Sequence, residues 1–190
     1  MGRDPQPYSK IMALKEIVKV PNKVLITKAE IALFDAETKS LAEDLIQTLN
    51  ATTKPKGAGL AAPQIGESKR VFIAKKFSKD PSDSEKEIET NFIFINPEIL
   101  SHSEVTDINW EGCLSIPDTY GQLERFKRVK VKSFDLNGNE FTLKAEGFFA
   151  RVIQHEMDHI NGVLFTSKVI GKTLTEKELD ELQAKETQVE

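Results

Sequence analysis

Gln154-His155-Glu156-Met157-Asp158-His159 is the stretch that decides both the fold and the chemistry of this chain, because it contains an H-E-x-x-H pattern. Four residues are a little more than one helical turn, so His155 and His159 would project from the same face of a helix and could share one metal ion. Glu156 would stand beside them, where it could accept a proton from a metal-activated water. The pattern therefore predicts metal-assisted hydrolysis.

The residues around this stretch favour a buried helix over a chance pattern on a charged surface helix. Because the chain contains 3 histidines, two of them are not expected to fall four residues apart by chance. We predict a helix from about Phe148 to Asn161 that ends at Gly162. Apolar residues occupy most of its circumference: Phe148, Phe149, Val152, Ile153, Met157 and Ile160. Because polar side chains on such a helix need partners, a metal site is the stronger interpretation.

The composition is that of a globular protein. With 190 residues, 39% hydrophobic and 29% charged, residues 1–190 are predicted to form a single metallohydrolase domain. The net charge of −4 provides no basic field, so direct nucleic-acid binding is not expected. The single cysteine excludes an internal disulfide bond.

Targeting signals are not recognisable in the sequence. The first residues lack the apolar core of a secretory signal, and Gln6 stands where a myristoylation site would have Ser or Thr. No apolar run approaches the length that a transmembrane helix needs. We expect a cytoplasmic protein without membrane contact.

The remaining chain predicts an α+β fold, in which strands precede a buried helix. Residues 10–36 are expected to form a wrapping arm, and Glu37 to Asn50 an amphipathic helix. A last helix is indicated by a capping box of Thr175 and Glu178, with Leu179 and Leu182 facing inward. Residues 1–9 and about 185–190 are expected to be flexible. The predicted strands are Arg70 to Lys75, Phe92 to Asn96, Lys127 to Phe134 and Glu140 to Lys144.

Two connections between these strands are also predicted. Asn137-Gly138 would supply the positive backbone angles of a hairpin turn between the last two strands. The polar segment Ser78 to Glu89, which lacks periodicity, is predicted to be a mobile loop between the first two.

The third metal ligand is not decided by the H-E-x-x-H pattern itself. Phe165 stands where one extended zinc-protease motif has a third histidine, which excludes that class. A zinc endopeptidase would use a later glutamate, Glu176 or Glu178, although acids on a charged helix normally face solvent. Cys113 is the other candidate, and the preceding Gly112 would let the backbone turn tightly beside a metal, although a lone cysteine is often an inert buried residue.

Three blocks of the sequence together resemble the peptide deformylase family. They are Gly57-Ala58-Gly59-Leu60-Ala61-Ala62-Pro63-Gln64, Glu111-Gly112-Cys113-Leu114-Ser115 and Gln154-His155-Glu156-Met157-Asp158-His159-Ile160-Asn161-Gly162. Ile160 stands where the family usually has leucine. The first block also fits a glycine pattern of dinucleotide sites, but a helix followed by Lys54-Pro55-Lys56 precedes it instead of a strand, so a nucleotide site is rejected.

The resemblance implies an enzyme that removes the N-formyl group from the formyl-methionine of nascent polypeptides and releases formate. It implies antiparallel or mixed sheets packed around a central helix carrying H-E-x-x-H, with an N-terminal and a C-terminal helix. Cys113, His155 and His159 would bind one divalent ion per chain, Fe²⁺ in the cell, with Zn²⁺, Ni²⁺ or Co²⁺ possible in purified protein. The partners would be N-formyl-methionyl peptides, and a transient ribosome contact is left open.

The resemblance also implies roles for residues around the metal. Glu156 would be the general base, while the Gln64 side chain and the Leu114 backbone N–H would stabilise the oxyanion. Glu111 would orient His159, the alternative being a simple surface salt bridge. The peptide-binding residues would be Gly57, Ala58, Gly59 and Leu60 through their backbone, with Ala58, Phe148 and Val152 forming the methionine pocket and Arg151 lining its rim.

Overall fold

Antiparallel strands and three helices build the fold in the computed structural model, which describes residues 14–187. The helices are α1 (Ala36–Ala51), α2 (Gly147–Ile160) and α3 (Glu176–Thr187). Short 3-10 turns span Lys23–Ile26, Ala62–Ile65 and Phe165–Lys168. The strands are β1 (Gly59–Ala61), β2 (Val71–Asp80), β3 (Asp83–His102), β4 (Thr106–Cys113), β5 (Ile116–Phe126), β6 (Arg128–Phe134), β7 (Glu140–Glu146) and β8 (Ile170–Leu174).

The strands form two sheets. One has five strands in the order β1-β2-β3-β6-β7, and the other has three in the order β4-β5-β8. Every pairing between these strands is antiparallel. The α+β prediction is confirmed, with antiparallel rather than mixed sheets.

Helices cover both faces of the five-stranded sheet. Val71 and Ile73 of β2 pack in one core cluster with leucines of α1. Phe72 and Ala74 point to the opposite face and pack in a second cluster with α2. Because successive side chains of a strand alternate between faces, a strand buried on both sides is an unbroken apolar run. This arrangement places α2 in the centre of the molecule, as predicted.

Local signals determine where the helices begin and end. Asp35 caps α1, because its Oδ1 accepts a hydrogen bond of 2.9 Å from the Thr38 N–H. The predicted capping box of α3 is present, since Glu178 accepts from the Thr175 N–H over 2.8 Å and donates its own N–H to Thr175 Oγ1 over 3.3 Å. After α2, Gly162 has a φ of +72°, and a Cβ there would lie 2.8 Å from the Thr27 carbonyl carbon. Glycine is therefore required at this helix end.

The loop prediction for Ser78 to Glu89 is wrong, because β2 and β3 continue through this segment as a hairpin. Their pairing runs from Val71 opposite Ile95 to Lys79 opposite Glu87, and Asp80 Oδ1 accepts from the Ser82 N–H in the turn over 2.8 Å. Most side chains in the outer half are exposed. Because few side chains of this outer half are buried, no apolar alternation marks these strands in the sequence.

The turn prediction at Asn137-Gly138 needs correction. Only Gly138 has a positive φ, +80°, whereas Asn137 does not. The turn is instead held by Asp135, whose Oδ1 accepts from the N–H groups of Asn137 and Asn139 over 2.8 and 2.9 Å. A side-chain acceptor thus replaces the second positive backbone angle.

The ends of the chain differ in part from prediction. Residues 185–187 form the last turn of α3, and the expected flexibility from residue 185 stays a prediction. Residues 1–9 and 188–190 lie outside the described residues. Leu179 is buried and Leu182 half-buried. Within residues 14–187, the helices are too short or too polar to cross a lipid bilayer.

Candidate metal centre

The end of β4 and the middle of α2 bring a thiol and two imidazoles together. Cys113 Sγ lies 3.2 Å from Nε2 of His159, and one ligand atom each of Cys113, His155 and His159 lies within 4.8 Å of the others. In residues 14–187 this is the one such group of three or more potential ligands. The group does not include Glu176 or Glu178, and Glu178 is engaged in the α3 capping box. The endopeptidase alternative therefore finds no support.

The electrostatics of the group favour the ligand form of the thiol. Burial raises the pKa of Cys113, but the neighbouring His159 and His155 outweigh burial and hold this pKa well below its usual range. Burial lowers the pKa of His155, whereas the Cys113 thiolate and the Glu111 carboxylate raise it overall. A stable thiolate beside two imidazoles is a soft ligand set suited to a divalent transition metal.

Glu111 contacts a different histidine from the one predicted. Its Oε2 lies 2.9 Å from Nδ1 of His155, and not beside His159. The surface salt bridge is also wrong, because Glu111 is only 7% exposed. Arg125 donates to both carboxylate oxygens over 3.0 and 2.9 Å. Burial raises the pKa of Glu111, but the His155 hydrogen bond and Arg125 keep it far below its usual range.

Arg151 belongs to this buried network rather than standing free at a pocket rim. Its Nη1 donates to Glu111 over 2.8 Å and to the Leu123 carbonyl over 3.0 Å, and its Nη2 donates to the Asp107 carbonyl over 3.0 Å. The side chain still lines the cavity, but its charge is already engaged. Because these partners lie on β4 and β5, Arg151 ties α2 to the three-stranded sheet.

Arg125 and Asp158 belong to the polar network beside the ligand group, and the sequence analysis missed both. Arg125 Nη1 donates to Asp158 over 2.6 Å, and Lys168 donates to the other Asp158 oxygen over 2.6 Å. The network therefore runs from His155 to Glu111 and Arg125. It continues through Asp158 to Lys168 at the surface. Asp158, half-buried inside the H-E-x-x-H stretch, was the available signal, since an acid on an otherwise apolar helix needs a partner.

Glu156 is buried beside the ligand group. Burial raises its pKa to about 7, although the nearby His155 and His159 act in the opposite direction. Its Oε2 has no hydrogen-bond partner among the described residues. Gly59 packs directly against it, since a Cβ at Gly59 would lie 2.3 Å from Glu156 Oε1. The missing side chain of Gly59 thus creates the space for this carboxylate.

Gln64 is oriented by its own turn. Its Oε1 accepts from the Ala61 N–H over 2.8 Å, which leaves the amide nitrogen to face the thiol. That nitrogen lies 3.5 Å from Cys113 Sγ and 3.3 Å from Ser115 Oγ. Ser115, fully buried, is a further residue that sequence analysis missed. The amide is thus placed as a donor towards the ligand group.

A cavity of about 600 Å³ opens onto this group. Of the predicted residues, those that line it are Gly57, Ala58, Gly59, Gln64, Glu111, Cys113, Leu114, Phe148, Arg151, Val152, His155 and Glu156. Leu60 does not line it, because its side chain is fully buried on the α1 face of the sheet. Only its backbone is available from β1, which lies at the edge of the five-stranded sheet.

Gly112 serves packing rather than a tight turn. It pairs with Tyr120 across β4 and β5, and a Cβ would lie 2.8 Å from the Tyr120 ring. Gly112 therefore does not turn the backbone beside a metal, as the sequence analysis expected. It instead leaves space for the Tyr120 ring on the neighbouring strand.

The residues present fit a divalent metal ion. In the described part of the chain, the buried side-chain polar atoms without a partner are Glu156 Oε2 and His159 Nδ1, both at this site. Buried polar atoms without partners are rare in folded proteins. A thiolate and two imidazoles beside an unpartnered carboxylate match a catalytic metal set, in which three protein ligands leave one position open.

Comparison with known proteins gives consistent matches. Residues 14–174 match the family model described as polypeptide deformylase. Peptide deformylase 1 of Bacillus subtilis (strain 168) is 45% identical over 174 residues, which cover 90% of this chain and 99% of that protein. The Met-Ala-Ser-bound class I type b peptide deformylase of Acinetobacter baumannii has a TM-score of 0.73 at 34% identity, covering 84% of this chain and 100% of that one. Peptide deformylase from Thermotoga maritima has a TM-score of 0.69 at 35% identity, covering 84% and 99%.

Proposed function

The chain belongs to the polypeptide deformylase family, metal-dependent hydrolases that remove the N-formyl group from nascent peptides, and from this premise we propose which residues perform that reaction here. The observation that carries the proposal is the convergence of Cys113, His155 and His159 within 4.8 Å, next to the buried Glu156.

Cys113, His155 and His159 would hold the metal ion. When bound, the metal supplies Lewis acidity that polarises the formyl carbonyl and lowers the pKa of water. The mixed thiolate and imidazole set suits iron, zinc, cobalt and nickel. We propose Fe²⁺ as the ion in the cell, with zinc, nickel or cobalt in purified protein. Glu111 supports this set by fixing the His155 ring through Nδ1.

Glu156 would move the proton. Its carboxylate accepts a proton from the attacking water and then gives it to the departing amine, which leaves formate and a free N-terminus. The unpartnered Oε2 and the raised pKa of Glu156, about 7, suit a group that gains and loses a proton near neutral pH. Gly59 keeps the carboxylate in place by packing against it.

Gln64 and Leu114 would stabilise the charge that develops on the formyl oxygen. The amide nitrogen of Gln64 faces the Cys113 sulfur over 3.5 Å, and Leu114 follows Cys113 at the cavity wall. Donors that are already oriented before the reaction stabilise an oxyanion without reorganisation. Removing the Gln64 amide is expected to lower turnover by about 100-fold or more.

The cavity would accept the formyl-methionyl end of a peptide. The free edge of β1 offers the backbone of residues 57–60 to an extended peptide. Ala58, Phe148 and Val152 would form the methionine pocket, and Phe148, 58% exposed, has apolar surface still to cover. The Acinetobacter baumannii enzyme, with Met-Ala-Ser bound, supports a peptide in the corresponding cavity.

Residues 14–187 would act as one domain, because α2 joins the five-stranded sheet through its apolar face and β5 through Gln154, which bonds the Phe126 backbone. The enzyme would act in the cytoplasm, and its nascent-chain substrates would allow a transient ribosome contact.

The test is formate release from formyl-Met-Ala-Ser under anaerobic conditions with Fe²⁺-loaded protein. Wild type should release formate, and Glu156→Ala should be at least about 100-fold slower while it keeps its metal. Glu176→Ala is the matched control, because Glu176 lines the same cavity but lies on α3; it should remain active. Absence of release from metal-loaded wild type would contradict the assignment.

A further inference from the structure

The N-terminal segment Val18 to Val20 is bonded to the two stretches of chain that carry the proposed oxyanion donors. The Val18 N–H donates to the Gln64 carbonyl over 2.8 Å, and the Val20 N–H donates to the Ser115 carbonyl over 3.0 Å. Between them, Lys19 Nζ donates to the Leu114 carbonyl. Three consecutive residues thus connect the Gln64 turn to the segment that follows Cys113.

Lys19 donates a hydrogen bond to the Leu114–Ser115 peptide group, which also contacts the sulfur of Cys113. The Leu114 carbonyl that accepts from Lys19 shares its peptide plane with the Ser115 N–H, which donates to Cys113 Sγ over 3.4 Å. Rotation of this peptide plane would turn the Ser115 N–H away from the sulfur and displace the adjoining Leu114 backbone. The side chains of Lys19 and Cys113 therefore hold opposite ends of one peptide group.

We propose that Lys19 is a positioning residue for deformylation, which locks the Leu114–Ser115 peptide group so that the Leu114 N–H stays aimed at the formyl oxygen. Lys19 lines the cavity with an exposed side chain, so it can perform this task without supporting the core. A cation on the Leu114 carbonyl oxygen also polarises this peptide group and strengthens the Ser115 N–H, which donates to Cys113 Sγ.

This inference rests on the proposed function and predicts a kcat effect. In Lys19→Met, which keeps the side-chain length but loses the donor, kcat for formyl-Met-Ala-Ser should fall about tenfold with little change in KM. Lys19→Arg, which can still donate to the carbonyl, should recover most of the rate. Lys54→Met is the matched control, since it removes the same charge from the same cavity and leaves the Lys19 contact in place; it should behave as wild type.

A direct contact between Lys19 and the substrate's terminal carboxylate is the competing explanation. Peptides with a free and an amidated C-terminus separate the two. The positioning role predicts the same kcat loss for both peptides, whereas a KM increase confined to the free acid would overturn it.

A spectroscopic readout is independent of turnover. In the zinc-loaded protein, the amide proton shifts of Leu114 and Ser115 should move in Lys19→Met and return towards wild-type values in Lys19→Arg. Unchanged shifts and unchanged kcat in Lys19→Met, with formate release by wild type intact, would overturn this inference alone. Absence of release by wild type would instead overturn the proposed function.

Discussion

Glu111 Oε2 lies 2.9 Å from Nδ1 of His155, and the same carboxylate is held by two buried guanidiniums, those of Arg125 and Arg151. The contact directs Nε2 of His155 towards the ligand group and fixes which nitrogen carries the proton. One carboxylate thus bridges two cations and orients a metal ligand.

Replacing Glu111 by Gln should therefore affect stability and metal affinity together. Two buried guanidiniums would lose their shared counter-charge, which is expected to lower the free energy of unfolding by about 3 kcal/mol, and metal affinity should fall by about 10- to 100-fold. Urea unfolding and competition with a chelator measure the two effects. Asp107→Asn is the control, because Asp107 pairs with Arg151 over 3.2 Å with a side chain 40% exposed; it should cost less than about 1 kcal/mol. Equal losses in both variants would contradict the shared role of Glu111.

The third ligand can be tested directly by metal content. Cys113→Ser should lose the metal on dialysis, because a neutral hydroxyl replaces the thiolate, whereas Glu176→Gln should retain one ion per chain. Metal analysis of both dialysed variants, with circular dichroism to confirm folding, gives the answer. Full retention by Cys113→Ser would mean that another residue completes the site.

The pH dependence of activity should reflect Glu156. A base must be ionised to accept a proton, so a pKa raised by burial to about 7 means that activity falls as pH drops below that value. A bound divalent cation lowers the pKa of a neighbouring carboxyl, so the acid limb of kcat/KM should lie at or below pH 7. Rates measured between about pH 5 and pH 9, with metal content checked at each pH, locate the limb. A limb above pH 8 would rule out Glu156 as the base.

The sequence predicted the parts of the site that depend on local spacing. His155 and His159 lie one turn apart on α2, so they share a face as the spacing predicts. The strand that carries Glu111 and Cys113, β4, was not predicted, and their roles followed only from the family resemblance. The way in which β4 crosses α2 determines which histidine Glu111 contacts. No local sequence pattern encodes this crossing. The Lys19 contact joins residues 95 positions apart, and it likewise depends on the tertiary path of the arm.

The same limit applies to the fold. The strand at Val71 to Ala74 was recognisable because it is apolar on both faces. The outer part of the β2–β3 hairpin was not, since its residues extend beyond the core and both faces meet solvent. There the ladder of backbone hydrogen bonds determines the structure, and side-chain polarity carries no signal.

Gly59 is expected to be essential for catalysis through the space it leaves. An alanine Cβ would lie 2.3 Å from Oε1 and 2.7 Å from Cδ of Glu156, so the carboxylate would have to move by about an ångström, a displacement that can cost about 100-fold in rate. Gly59→Ala should therefore lower kcat by about this factor while metal content remains near one ion per chain. Gly121→Ala is the matched control, because its Cβ would come equally close, 2.4 Å, to the side chain of Val169 and would not touch Glu156; it should change kcat much less. Steady-state formate release by the two variants measures the difference. If Gly59→Ala kept the wild-type kcat, the carboxylate would have an alternative productive position, and the packing of Gly59 against Glu156 would have no catalytic role.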